Sequence, residues 1–301
     1  MAVSTEHAQE TVDRCPMCGS RDFATAFEEP PYSVRRCARC GMGWVSPRLG
    51  AGGLAAIYQS DSYWRSHSPK VQGYADYRAD ERLYLDTFRR RLSFALRNGP
   101  GAGRALDVGF AAGFCMAVLR ERGFETHGVE VSETIGSHAR DHFGFETLHF
   151  GTLESAPYPE HHFDLITMWD VVEHVVDPRA LLRRAKQLLA PGGLLVIETQ
   201  DIESPFARAL GPRWHHYKHA EHIYHFTPST VTAVLDDSGF EVEKLTHRYG
   251  GKYVSFAFIA ERAARLHPAV SLVLRPLTAF QSARVYLNFM DEMIVLARPR
   301  R

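Results

Sequence analysis

Net charge, long apolar runs and a secretory signal are all missing from this sequence. Its 301 residues carry 35 Lys and Arg against 35 Asp and Glu, so the formal net charge is zero. Nothing therefore supplies the positive field that sequence-independent nucleic-acid binding needs, and we do not expect a nucleic-acid partner. The stretch MAVSTEHAQETVDR lacks the apolar core of a signal, and no run approaches the ~20 apolar residues of a spanning helix. We expect a cytoplasmic protein without a transmembrane segment.

Two common nucleotide-binding motifs are also missing. The apolar stretch ALDVG runs into FAAGF, but Ala111 and Phe114 stand where a dinucleotide-binding turn, G-x-G-x-x-G, needs its second and third glycines. The Gly251-Lys252 pair is followed by Tyr253, so it does not complete the G-K-[ST] of a phosphate loop. These absences argue against a dehydrogenase and against a P-loop enzyme.

Cysteine is scarce, yet four of the five cysteines form two close pairs, Cys15 with Cys18 and Cys37 with Cys40. The spacing matches two zinc knuckles, in each of which two thiolates converge on one tetrahedral ion. A shell of four sulfurs leaves no open coordination position. The pattern therefore predicts a structural zinc ribbon over residues 1–45, with catalysis elsewhere.

The rest of the chain divides into a connector and a main domain. Residues 46–103 combine clustered glycines and aromatics with an amphipathic helical pattern over 76–97, which predicts a helical connector or lid. From residue 104 to 301 short apolar runs alternate with helical patterns. This predicts a Rossmann-like α/β domain with a seven-stranded, mostly parallel sheet, helices on both faces and a ligand site at the carboxyl ends of the strands. The apolar, arginine-bearing stretch over 253–289 is predicted to cover the sheet or to line a substrate pocket.

The turn after the first strand of this domain retains D-x-G-x-A-x-G, formed by Asp107, Gly109, Ala111 and Gly113. It resembles the first motif of the class I S-adenosylmethionine-dependent methyltransferases, D-x-G-x-G-x-G. Later segments follow in the family's order: an acid ends the second strand, FGTLESAPYPEHHFDLI resembles the adenine-side loop, and LLAPGGLLVIETQD resembles the turn before the fifth strand. The resemblance extends over about 104–300 and implies that the last two strands pair antiparallel.

The resemblance also implies a cofactor site for S-adenosylmethionine. Asp107 and Gly109 would lie near the amino acid tail, and Glu130 would accept the ribose hydroxyls. Thr152 and Leu153 would lie near the adenine. The full predicted set is Asp107, Gly109, Ala111, Gly113, Glu130, Val131, Thr152, Leu153, Trp169 and Asp170.

Polar residues follow the fourth strand in MWDVVEHVVDP. Asp170, Glu173 and His174 are three and four residues apart, so they would share one face of a helical turn. Residues 168–178 resemble the ubiquinone-biosynthesis O-methyltransferases, in which two glutamates and a histidine at this spacing are associated with a divalent metal. The resemblance implies that these three residues bind magnesium. Alternatively, His174 acts as a base, or the group only braces the loops.

A histidine-rich stretch, WHHYKHAEHIYHFTPST, follows the fifth strand and contains His215, His216, His219, His222 and His225. Its EH-x-x-HF pattern resembles zinc-ribbon methyltransferases that act on sugars and small molecules. Because a neutral imidazole is a suitable base near neutral pH, His222 and His225 are predicted to be catalytic, oriented by Glu221 or Tyr224. Zinc capture and a purely structural loop stay open as alternatives.

Together these features predict an S-adenosylmethionine-dependent methyltransferase acting on a small molecule. O-methylation of a sugar, lipid precursor or secondary metabolite is expected, with a carbon or nitrogen acceptor as the alternative. A ribosomal RNA base methyltransferase with a zinc-ribbon reader is a rival that the neutral charge and the missing N-P-P-Y tetrad disfavour. A non-catalytic zinc-ribbon adaptor on the same scaffold is a second rival.

Overall fold

The computed structural model describes residues 9–65, 76–256, 259 and 283–300. Strands and then helices form the N-terminal part: β1 (Gln9–Glu10), β2 (Phe23–Glu29), β3 (Tyr32–Cys37), β4 (Gly43–Ser46), β5 (Arg48–Leu49), α1 (Ala51–Gln59), α2 (Asp61–Trp64) and α3 (Glu81–Ala95).

Strands and helices then alternate as the hydrophobic pattern predicts. The first half of this region contains β6 (Gly103–Val108), α4 (Phe114–Glu121), β7 (Phe124–Glu130), α5 (Glu133–Phe143), β8 (Leu148–Phe150), β9 (Phe163–Trp169), α6 (Pro178–Leu188) and β10 (Leu189–Gln200). The second half contains α7 (Pro205–Leu210), a 3₁₀ turn (Gly211–Arg213), β11 (Tyr224–His225), α8 (Pro228–Asp237), β12 (Phe240–Thr246), β13 (Lys252–Ser255), β14 (Arg284–Leu287) and β15 (Glu292–Pro299).

A seven-stranded sheet forms the centre of the molecule, in the order β12-β15-β10-β9-β6-β7-β8. Strands β8, β7, β6, β9 and β10 run parallel, whereas β15 is antiparallel to both β10 and β12. The carboxyl ends of the parallel strands therefore share one edge, where ligands bind in open α/β sheets. The predicted fold class and the antiparallel final pair are confirmed.

Local sequence signals fix where the flanking helices begin. The Asp177 side chain accepts a hydrogen bond from the Ala180 amide at 3.0 Å and caps α6, which has Pro178 in its first turn. Thr227 and Thr230 form a reciprocal capping box at the start of α8. Helix α6 buries Leu181, which contributes to the core beneath the sheet.

A second sheet, in the order β11-β4-β3-β2, joins distant parts of the sequence. Three of its strands lie in the predicted ribbon, but β11 comes from the histidine-rich stretch and pairs antiparallel with β4. This sheet joins residues on both sides of the predicted boundaries at residues 45 and 103. The division of the chain into domains stays a prediction. Strands β13 and β14 pair antiparallel at the two ends of the predicted covering stretch, whose central residues 257–258 and 260–282 lie outside the described part of the chain.

Within the described residues, no helix has the length and apolar character needed to cross a membrane.

Candidate functional site

The four paired cysteines converge at one point of the ribbon. The Sγ atoms of Cys15 and Cys40 are 3.5 Å apart, as are those of Cys18 and Cys37. All four sulfurs lie within 4.8 Å of one another, close to the ~3.8 Å that tetrahedral zinc–sulfur bonds of about 2.3 Å require. Left-handed Gly19 forms the turn after the first pair with a φ of 72°. The residues present therefore fit a structural zinc ion.

The turn after β6 bends through three left-handed residues. Gly109, Ala111 and Gly113 have φ values of 74°, 46° and 86°, and Gly113 is the N-cap of α4. A Cβ atom on Gly109 would lie 2.7 Å from Val171 Cγ2, so this position requires glycine for space as well as for conformation. Alanine at 111 adopts the conformation that the resemblance assigns to glycine, which shows that the departure from the motif is accommodated.

Two buried carboxylates support this turn. Glu130, at the end of β7, accepts hydrogen bonds from the amides of Ala111 at 2.9 Å and Ser132 at 2.8 Å. Each of its oxygens retains a lone pair that could accept a hydrogen bond from a ribose hydroxyl. Burial raises the pKa of Glu130, which means that the charged form is poorly stabilised, so further hydrogen-bond donors would stabilise it. Asp107 is 1% exposed and accepts from Thr167 Oγ1 at 2.6 Å, while burial raises its pKa to about 7. The turn and its acids fit a nucleoside with a polar tail.

The bulky Phe110 points into the domain. Its ring packs against Gly128 of β7 and Gly136 of α5, where added Cβ atoms would lie 2.5 Å and 3.2 Å from it. Met116 and Phe145 complete this buried cluster. Phe110 therefore contributes to the core and leaves the bend free.

An aromatic lid, formed by Tyr58, Tyr63, Trp64 and Tyr77, covers the same edge. Ser132 Oγ donates to the Tyr58 carbonyl at 2.6 Å, which fixes α1 beside the end of β7. Tyr77 stacks on Phe114 at 5.5 Å. Burial raises the pKa of Tyr77, and the nearby carboxylates of Asp170, Asp107 and Glu130 raise it further. The lid therefore lies over the acids of the predicted cofactor site.

The remaining predicted cofactor residues differ in how open they are. Val131, Thr152 and Asp170 are exposed, while Leu153 is buried. Trp169 is also buried, and its indole N–H donates to Cys115 Sγ at 3.1 Å. The cofactor-binding role of Trp169 therefore stays a prediction.

Glu173, His174 and His222 form a compact polar group beyond the end of β9. Each offers one ligand atom within 4.8 Å of the others. The predicted magnesium set is corrected here: His222 joins Glu173 and His174, whereas Asp170 is exposed on a left-handed turn with a φ of 53°. Because magnesium prefers oxygen ligands, one carboxylate and two imidazoles do not fit it.

Hydrogen bonds orient His174 within this group. Its Nδ1 lies 2.9 Å from the Glu221 carbonyl oxygen and 2.7 Å from the Tyr58 hydroxyl. Since a carbonyl accepts only, Nδ1 carries the proton and Nε2 keeps the free lone pair. Burial lowers the pKa of His174 and lowers that of His222 well below its ordinary value. Both imidazoles are therefore neutral at pH 7.

The other predicted catalytic residue, His225, occupies a different environment. It is fully buried in β11, pairs with Gly43 of the ribbon and contacts the Tyr217 ring at 5.2 Å. His219 also faces the ribbon, 3.2 Å from Glu29. The predicted orienting role of Tyr224 is not observed, because its hydroxyl bonds to the Val176 carbonyl and to Arg48. His225 therefore faces the ribbon and not the group around His174.

A buried charged group at this edge was not predicted from the sequence. Arg91 of α3 forms ion pairs with Glu198, at the end of β10, and with Glu292, at the start of β15. His216 Nε2 lies 3.3 Å from Glu292. The signal in the sequence was Glu198, near the end of the apolar run LLVIETQ. A buried strand tolerates a charged side chain only when that side chain has a partner.

The family assignment rests on the sequence match and agrees with this architecture. Residues 77–245, more than half of the chain, match the family described as a methyltransferase domain. The chain therefore belongs to the methyltransferase-domain family, which confirms the predicted resemblance to the class I S-adenosylmethionine-dependent methyltransferases.

The chain is also similar to curated proteins named as ubiquinone biosynthesis O-methyltransferases. A ubiquinone biosynthesis O-methyltransferase of Bradyrhizobium diazoefficiens is 30% identical over 167 residues, covering 52% of this chain and 64% of the relative. Another of the same name, from a Caulobacter strain, is 34% identical over 104 residues, covering 32% and 40%. This chain thus spans less than two thirds of the length of these relatives.

A solved chain from the Haloferax volcanii complex containing the Trm112 methyltransferase activator shares the fold. It superimposes with a TM-score of 0.52 at 16% identity, covering 74% of this chain and 95% of that one.

Proposed function

We propose that this protein transfers a methyl group from S-adenosylmethionine to a hydroxyl oxygen of a small molecule, with His174 as the general base. The observation that carries this proposal is the hydrogen bond from His174 Nδ1 to the Glu221 carbonyl. It leaves a basic Nε2 at the ligand-binding edge of the sheet, beside the aromatic lid. The curated relatives, named as O-methyltransferases, support an oxygen acceptor.

When bound, S-adenosylmethionine supplies a methyl group made electrophilic by a positive sulfur. Glu130 would hold the ribose, and the turn from Gly109 to Gly113 would lie under the amino acid tail. Tyr77 and the rest of the lid would exclude water from this end. The protein's contribution is largely the positioning of two reactants in a dry site.

His174 would accept the proton of the acceptor hydroxyl as the new bond forms. A general base must be neutral to act, and burial keeps the pKa of His174 below its ordinary value. The Tyr58 hydroxyl lies 2.7 Å from His174 Nδ1, so the position of the lid and the orientation of the base are linked. His222 packs edge-on against His174, with ring centroids 4.6 Å apart. We propose that His222 helps to hold the His174 ring in place.

A metal-assisted variant of this reaction has one specific observation in its favour. Glu173 Oε1 and His222 Nδ1 are buried without a hydrogen-bond partner among the described residues. Zinc or another first-row metal accepts this mixed set of ligands. Metal analysis distinguishes the two possibilities: about one zinc per chain supports the base mechanism, and a second equivalent that is lost in His222→Ala supports the metal.

The test is methyl transfer with methyl-labelled S-adenosylmethionine and three probes: catechol, a free hexose and total RNA. We expect label in a hydroxyl compound. Label confined to RNA, retained on a filter in a salt-sensitive way, would support the ribosomal RNA rival instead. If calorimetry detects no binding of S-adenosylmethionine at all, the protein is a non-catalytic adaptor.

A further inference from the structure

The histidine loop, residues 214–226, is held between two different surfaces. Its inner side faces the proposed catalytic group, and its outer side faces the zinc ribbon. The two sides are separated by a single extended segment around Ile223. This arrangement allows the ribbon to influence catalysis without touching the cofactor.

On the inner side, the loop is bonded to the segment after β9. The amides of Ile223 and Tyr224 donate to the Glu173 carbonyl at 3.0 Å and 3.2 Å. The Glu221 carbonyl accepts from His174 at 2.9 Å, and the Glu221 carboxylate accepts from the Tyr63 hydroxyl. These bonds place His222 beside His174.

On the outer side, the same segment extends the ribbon sheet. The Val45 amide donates to the Ile223 carbonyl at 3.0 Å, and β11 pairs Tyr224 with Trp44. Ile223 is therefore bonded through its amide to the catalytic segment and through its carbonyl to the ribbon. A displacement of β4 is transmitted directly to the backbone that bears His222.

The position of β4 is in turn set by the second cysteine pair. Only two residues separate Cys40 from Gly43, the first residue of β4. The Cys37 amide donates to the Met42 carbonyl at 3.0 Å, closing the loop between the metal ligands and the strand. An ion held by these sulfurs would fix where β4 begins.

Gly43 of the ribbon packs tightly against His225 of the histidine loop. A Cβ atom there would lie 3.0 Å from both the Cβ and the carbonyl oxygen of His225. Its φ lies outside the left-handed range, so the constraint at this position is space alone. The absence of a side chain permits the close pairing of β4 with β11.

We infer that the zinc ribbon is a positioning element for catalysis: through β4 and Gly43 it sets the place of the histidine loop. This inference rests on the proposed function, because it assumes that the group around His174 carries out the chemistry. It gives the ribbon a role inside the enzyme, whereas a recognition module would use its outer surface. Gly43 and Ile223 are the positioning residues.

The primary test is amide hydrogen exchange on the full-length, zinc-loaded protein with Gly43→Ala. We expect exchange of the Ile223 and Tyr224 amides to accelerate by about tenfold or more, because one extra methyl group overpacks the contact between β4 and β11. Exchange in β6 and β7, zinc content and the affinity for S-adenosylmethionine should stay as in the wild type. The matched control is Gly101→Ala, where a new Cβ has nothing within 4 Å.

A second arm keeps the test valid if Gly43→Ala does not fold. Wild-type protein treated with a zinc chelator should lose protection over residues 216–226 before β6 and β7 lose it. Acceleration that spreads equally to β6 and β7 would overturn the inference, because the ribbon would then be a general stabiliser. Unchanged protection of Ile223 in both arms would overturn it as well.

Turnover provides a separate readout. With whichever probe the wild type methylates, Gly43→Ala should lower kcat by about tenfold while KM for S-adenosylmethionine stays the same, as expected when a reactive group is misplaced. An unchanged kcat alongside accelerated exchange would contradict the positioning role. If the wild type methylates no probe, the proposed function fails, and the exchange experiment still decides whether ribbon and loop are coupled.

Discussion

The proposed cofactor end and the proposed acceptor end of the site are built in different ways. The proposed cofactor end consists of two short stretches, residues 107–113 and 130–132, which contribute mainly backbone turns and amides. The proposed acceptor end combines Tyr58 from the lid, Glu173 and His174 from the segment after β9, and His222 from the histidine loop. The first depends on local conformation, and the second depends on packing between segments that are far apart in sequence.

The largest effect is expected at the acceptor end, for His174→Asn. The asparagine amide replaces Nδ1 and can still donate to the Glu221 carbonyl, but it has no basic nitrogen. Loss of a general base should reduce kcat by about 10²–10⁴-fold, with little change in cofactor affinity. Labelled methyl transfer measures the rate, and calorimetry measures the affinity.

The control for this variant is His161→Asn, an exposed residue in the turn before β9, at the opposite edge of the sheet. It should retain wild-type turnover. Equal rates for His174→Asn and the wild type would remove His174 as the base.

A smaller effect is expected at the cofactor end, for Glu130→Gln. The neutral amide weakens the bonds to the Ala111 and Ser132 amides and removes a charged acceptor for the ribose. A hydrogen bond to a charged group contributes about 1.5–3 kcal/mol, so S-adenosylmethionine should bind about 10–100-fold more weakly. Glu125→Gln, on the same strand but with its side chain 64% exposed, should bind normally. Equal affinity in both variants would exclude Glu130 from the cofactor site.

The ribbon side of the histidine loop is tested by the pH dependence of stability. Burial lowers the pKa of His225 to about 3, against an ordinary value of 6.5. Below pH 6.5 the unfolded chain therefore binds a proton that the folded protein does not, so the free energy of unfolding falls as pH falls. Relative to His225→Gln, the wild type should lose about 1.4 kcal/mol for each pH unit between 6.5 and 3.

Denaturant unfolding of both proteins at pH 8, 6 and 5 measures this difference. Above pH 7 the difference between the two should be constant. Curves that stay parallel down to pH 5 would mean that His225 is protonated in the fold.

The smallest effect is expected for Ala111→Gly, which restores the glycine of the family motif. Relief of the left-handed conformation, about 1–2 kcal/mol, is offset by the extra backbone entropy of glycine, about 0.5–1 kcal/mol. The free energy of unfolding should change by less than about 1 kcal/mol, and cofactor affinity should be preserved. Gly109→Ala, which meets Val171, should be clearly destabilised in the same denaturant assay. A large gain in affinity for Ala111→Gly would show that the alanine obstructs the site.

The difference between local conformation and long-range packing also explains which features could be predicted from the sequence. The mostly parallel sheet and the turn around Gly109 follow from local patterns, so they could be predicted, and the family resemblance implied the antiparallel last pair. His174 was predicted from its position four residues after Asp170 and from the resemblance of residues 168–178 to the ubiquinone-biosynthesis O-methyltransferases. The contact between His174 and His222 could not be predicted, because it depends on how β11 pairs with β4 in three dimensions.

The catalytic role predicted for His225 stays a prediction for the same reason. Both His222 and His225 follow the fifth strand, and no local signal shows which one faces the catalytic group. The two-residue strand Tyr224–His225 is too short to be recognised by alternation. Arg91 was likewise assigned to a helix correctly, but its ion pair with Glu198 links positions 107 residues apart.

The shared sheet has a consequence for dissecting the chain. Strand β4 is fully buried with β11 at its side, so a fragment ending near residue 45 would expose a row of unpaired amides and carbonyls along Trp44 and Val45. Such uncovered edges recruit other chains into intermolecular pairing. The ribbon is therefore expected to self-associate when expressed alone, and its completion must wait until some 180 further residues have been synthesised.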